Sequence, residues 1–115
     1  MNELIIKKVT LNVRINGMDF PFIADSEFAM KVSSLAKEAT KRANLCAITG
    51  CGDGIEASEF LSYAIDTLIG EGSTKKIFDT QYPDPVDLCD ILGLIADVFH
   101  SYRRERIRAI KEGHV

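Results

Sequence analysis

The chain has 115 residues, 46% of them hydrophobic and 27% charged, with a formal net charge of -3. That is the make-up of a globular protein with one core, and it excludes global disorder and an overall electrostatic grip on nucleic acid or anionic membrane. No apolar run approaches the ~18 residues of a membrane span, and the start at Met1 puts apolar residues before its lysines, unlike a signal peptide. Three cysteines, Cys46, Cys51 and Cys89, form an odd set. Reduced thiols in a cytoplasm are the expectation.

A single domain over residues 1–115 is expected, of α+β class and mainly α, with an N-terminal β-hairpin followed by three helices. The hairpin spans about residues 9–24. Val9, Leu11, Val13 and Ile15 alternate with polar neighbours, the period of a strand with one buried face. Asn16-Gly17 suits a type I′ turn, which needs positive φ at both central residues. That turn pairs Ile15 with Met18, Val13 with Phe20 and Leu11 with Phe22 on one face, and Arg14 with Asp19 on the other. Pro21 then falls opposite Asn12 and blocks the outer edge of the second strand.

The first helix is expected over about 26–46, capped by Asp25 or Ser26, with Phe28, Val32, Leu35, Ala36 and Ala39 at helical spacing. Residues 49–54 are too glycine-rich to continue it. The second helix, over about 55–69, has Asp53 as its cap and Phe60, Leu61, Ala64, Ile65, Leu68 and Ile69 on its inner side. Gly70 and Gly72 stop it. Asp84-Pro85-Val86-Asp87 then opens a third helix over about 85–111: a capping Asp, a Pro at the first helical position, and an acid near the positive dipole end. Gly113 is its expected stop. Leu88, Leu92, Ile95, Phe99 and Tyr102 form its core stripe. Ile91, Leu94 and Val98 widen that stripe to roughly 160°, more than a surface helix needs. The surplus makes Ile91, Leu94, Val98 and Tyr102 the candidate partner-binding residues.

Catalytic and metal chemistry find little to stand on. Cys46 and Cys51 would need two further zinc ligands, and only Cys89, His100 and His114 remain, with no second close pair. A catalytic thiol would need a basic partner. No metal and no cofactor are expected. Gly70 to Lys76 has the composition of a phosphate loop but the wrong order, since a P-loop follows a strand and places its hydroxyl residue after the lysine. The plainer reading is a glycine helix stop, a cap at Ser73 or Thr74, and one short turn burying Ile77 and Phe78. Arg103, Arg104, Arg106, Arg108 and Lys111 make the last helix basic at its end, where cations complement the negative dipole terminus. A small nucleic-acid-binding regulatory protein using that helix is the alternative function.

One arrangement points further. Ile15-Asn16-Gly17 opens a short hairpin followed by an aromatic strand and a helix. Asp66-Thr67-Leu68-Ile69-Gly70-Glu71-Gly72 then closes a helix and leads into Ser73-Thr74-Lys75-Lys76-Ile77-Phe78, before a final apolar helix. From Val13 to about Tyr102 this resembles the tail assembly chaperones of long-tailed bacteriophages and prophages. The Gly-Glu-Gly segment followed by Lys-Ile-Phe carries most of the resemblance, while the Cys46–Asp53 loop is richer in Cys and Gly than the family pattern. The resemblance implies a protein that is not an enzyme and acts in the bacterial host's cytoplasm. It would bind the tape measure protein, with the tail-tube protein as a further partner and homo-oligomers allowed. It would be absent from the mature virion.

Overall fold

A computed structural model of the protein describes residues 3, 8–50, 52 and 54–112. Cys51, the expected cap Asp53, the expected stop Gly113 and His114 lie outside the described residues. The chain is mainly helical behind an antiparallel hairpin, with strands β1 (Thr10–Ile15) and β2 (Met18–Ile23) and helices α1 (Ser26–Thr49), α2 (Ile55–Ile69), α3 (Ser73–Ile77) and α4 (Pro85–Lys111).

The hairpin has the expected register: Leu11 faces Phe22, Val13 faces Phe20 and Ile15 faces Met18. Asn16 and Gly17 both take positive φ, 51° and 78°, as a type I′ turn requires. Val13, Phe20 and Phe22 are buried and Leu11 is half-buried on the inner face. On the outer face Asn12 donates to Asp19 at 3.1 Å, and Arg14 lies 3.8 Å from the same carboxylate. That ion pair is exposed and contributes little to stability. The Ala24 amide donates to the Val9 carbonyl at 2.8 Å, one step past the strands.

The Asp25 side chain caps α1, accepting from the Phe28 amide at 2.9 Å. The helix runs three residues past the expected end near 46, because nothing between Ala43 and Thr49 breaks it. It stops at Gly50, whose φ of 88° suits glycine. Only its first turns meet the core, through Phe28, Ala29, Val32 and Leu35. Beyond Leu35 nearly every described side chain is exposed, so the second half of α1 overhangs the body. The molecule measures 60 × 33 × 22 Å with a radius of gyration of 16.9 Å, against about 13 Å for a compact chain of this length.

α4 is the spine. Asp84 caps it, accepting from the Val86 amide at 2.8 Å, with Pro85 first in the helix. Leu88, Ile91, Ile95 and Phe99 are buried at helical spacing, and α4 packs on both α2 and β1. α2 adds Ala64, Ile65, Leu68 and Ile69, and its Ser58 hydroxyl donates to the Pro83 carbonyl at 2.8 Å, pinning its first turns beside the start of α4. Three rings join the remaining elements. Phe28 of α1 stacks on Phe22 of β2 at 4.7 Å and packs tilted against Phe99 of α4 at 4.8 Å.

Phe28→Ala removes both ring contacts and leaves a cavity among three elements. It should destabilise the fold by about 3–5 kcal/mol. Ile48→Ala, on the overhang at 82% exposure, should change stability by no more than about 0.5 kcal/mol. Urea unfolding followed by circular dichroism compares the two.

Candidate functional site

The glycine segment after α2 is closed on itself. Gly70 and Gly72 take φ of 116° and 84°, turning the chain back so that α3 starts against α2. The Asp66 carboxylate reaches across that turn, accepting from the Thr74 amide at 2.9 Å, from the Gly72 amide at 3.3 Å and from the Thr74 hydroxyl. Ser73 and Thr74 are buried, and the Ser73 hydroxyl donates to the Gly70 carbonyl at 2.6 Å. The expected cap at Ser73 or Thr74 is therefore corrected: both lie inside α3, and Asp66 is the capping side chain. Donors that a phosphate would need are already taken by a carboxylate of the chain itself. Ile77 and Phe78 are half-buried, and Lys75 and Lys76 point to solvent.

The structure divides the four candidate partner-binding residues. Ile91 is 7% exposed and belongs to the core, because α2 and β1 cover the side of α4 on which it lies. It is not part of a free surface. Leu92, expected in the core stripe, is half-buried and packs against the core. Leu94 is 40% exposed, and Val98 and Tyr102 are half-buried. These three follow one another at four-residue steps, one per helical turn.

At the end of α4 the arginines are held along the helix. Arg103 lies over the Phe99 ring at 5.6 Å, Arg106 donates to the Tyr102 hydroxyl at 3.0 Å, and Arg108 pairs with Glu105 at 2.9 Å. Ile107 and Ile110 are exposed among them. His100 is exposed, with its ring against Phe99. Among the described residues no group of three or more His, Cys, Asp or Glu side chains could hold a metal ion, and no helix is long and apolar enough to cross a membrane.

A larger apolar feature escapes sequence reading. Under the overhang, α1 and the first half of α2 enclose a groove of about 580 Å³, with Ala43, Leu45, Cys46, Ala57, Phe60 and Cys89 among its lining residues. Arg42 lies over Phe60 at 4.4 Å and pairs with Glu38 at 3.0 Å. Glu56 lines the same groove, and one turn on, Glu59 is exposed. The only signal for this groove in the sequence is Leu45 and Ile48 continuing an apolar pattern past the last core residue, Leu35.

Charge is segregated along the chain. Residues 43–102 carry ten carboxylates and only two cations, Lys75 and Lys76, whereas residues 103–112 carry five cations and two carboxylates. The groove thus sits in the acidic part, and Ile107 and Ile110 sit in the basic one.

Asp66→Ala should cost about 1–3 kcal/mol, because it strands buried donors at the start of α3. Replacing Lys75 and Lys76 together by alanine should cost no more than about 0.5 kcal/mol; thermal unfolding reads both. Comparison with protein-family models, with curated proteins and with solved structures finds no match for this chain.

Proposed function

We propose that the chain is a non-enzymatic tail assembly chaperone of a long-tailed bacteriophage or prophage, holding the tape measure protein in the host cytoplasm until the tail tube forms around it. The resemblance through the Gly70–Phe78 segment supplies the family. The observation that carries the mechanism is the line Leu94, Val98, Tyr102 along α4. It presents one apolar side chain per turn along the longest helix of the molecule, flanking the buried stripe, with Val98 also packed against the core. A straight, half-exposed apolar line of this kind fits a long helical client lying parallel to α4, as apolar faces of amphipathic helices do in grooves. Burying a Leu side chain at such a contact is worth roughly 1.5–3 kcal/mol. Several copies along one client would hold it without any single tight site.

A second reading is favoured by the five cations of residues 103–112: a regulatory protein that binds nucleic acid through the end of α4. Such binding would weaken steeply with salt and would need no tail protein.

Leu94→Asp separates these readings. Leu94 is already 40% exposed, so the variant should fold with a melting temperature close to that of the native chain. Co-expressed with the tape measure protein, the native chain should keep the client soluble and co-purify with it, and Leu94→Asp should lose at least about tenfold in affinity. Retention of full client binding by the folded variant would reject the α4 line as the contact. Salt-dependent DNA binding by both proteins, with no client binding by either, would favour the second reading.

A further inference from the structure

The last turns of α4 run on beyond the core. Phe99 is the last α4 residue in the buried cluster, and the helix continues to Lys111. Phe99, Tyr102, Arg103, Arg106, Ile107 and Ile110 recur at three- and four-residue steps, which puts them on one face. All six line an open cleft of about 320 Å³, bounded also by residues 24–26, where β2 gives way to α1. Ile107 and Ile110 are 51% and 55% exposed. The two arginines of this face contact neutral groups: Arg103 lies over the Phe99 ring at 5.6 Å, and Arg106 donates to the Tyr102 hydroxyl at 3.0 Å. Neither belongs to an ion pair among the described residues, while the neighbouring Glu105 is taken by Arg108. Asp25 is the one acid in the lining, and its carboxylate accepts from the Phe28 amide at 2.9 Å inside the first turn of α1.

We infer that this cleft docks an acidic, apolar segment of a partner protein. Apolar side chains of the partner enter between Ile107, Ile110 and the start of α1. Its carboxylates meet Arg103 and Arg106, whose planar guanidinium groups suit carboxylates through paired N–H donors. The lining holds two cations against one acid, and residues 103–112 as a whole carry five cations against two carboxylates. Charge complementarity therefore selects an acidic partner over a basic one. The isoleucines select protein over nucleic acid. Phosphates, which take most protein contacts in a duplex, bring no apolar group to cover Ile107 and Ile110. Leu94 and Val98 do not line the cleft, so the inference goes beyond the tape measure contact and does not rest on it.

Fluorescence anisotropy with a labelled synthetic peptide tests it. The probe is a short helix-forming peptide with leucines at three- and four-residue steps and glutamates beside them. The native chain should bind it saturably, and more weakly as salt rises. Two double variants change only exposed positions: Arg103→Glu with Arg106→Glu, and Ile107→Asp with Ile110→Asp. Circular dichroism melting checks that each folds, and each should lower the affinity roughly tenfold or more. The charge-reversed variant should in turn bind a peptide with lysines in place of the glutamates more tightly than the native chain does. Leu94→Asp should bind the acidic peptide as the native chain does, so failure here is distinguishable from failure of the tape measure contact. No saturable binding overturns the inference, as does equal binding of a peptide with alanines in place of the leucines. Tighter binding of a labelled DNA duplex or of phosphatidylglycerol vesicles overturns it, and so does binding that survives in both folded variants. Displacement of the peptide by an excess of the folded isoleucine variant, which keeps every other surface, would make a second copy the occupant and overturn it too.

Discussion

Phe28 is the contact on which the arrangement depends. Its ring lies between Phe22 of the hairpin and Phe99 of α4, so one side chain fixes three elements far apart in the chain. Aromatic pairs at this spacing add to the area they bury. The same contact sets where α1 joins the core: near its beginning, where Asp25 caps it, with no described residue beyond Leu35 in the core cluster. The rest of this 24-residue helix lies outside the core. With α2, it makes the apolar groove.

Legibility in the sequence follows how local the deciding interaction is. The hairpin is legible because the Asn16-Gly17 turn fixes its own register, and every pair across it follows from two residues. The start of α4 is legible for the same reason, since Asp84, Pro85 and Asp87 act within one turn. The end of α1 lies further along than its loss of core residues suggests, because helix continues through exposed Ala and Asn until a glycine stops it. Ile91 and Leu92 lie about 100° apart on α4; both meet the core, and which of them is fully buried is decided by how the other elements pack on α4. Periodicity along one helix does not contain that information. The Asp66 cap is hidden in the same way, because its partners lie six and eight residues away across a turn.

The groove was out of reach of sequence reading because it belongs to two helices, neither of which shows it alone. What the sequence did carry is charge order: an almost wholly acidic stretch from 43 to 102 and a basic one after it. In the fold the basic stretch forms the last turns of α4, and the acidic stretch spreads over the end of α1, α2, α3 and the rest of α4. The Gly70–Phe78 segment, by contrast, has its donors satisfied internally by Asp66 and by backbone carbonyls. Its role in the fold is to reverse the chain between α2 and α4 and to seat Ile77 and Phe78 against the core. The exposed apolar and basic surfaces lie elsewhere: the line on α4, the groove, and the end of α4.

The groove rests on the exposed second half of α1, and hydrogen exchange measures that directly. Amides of an unsupported helical segment exchange through local fraying, whereas those packed in the core wait for wider opening. In dilute, monomeric protein, residues 28–35 should exchange slowly and residues 40–48 much faster, with a step in protection between them. Equal, slow exchange along the whole of α1 would mean that its second half is packed into the body, and would contradict the account.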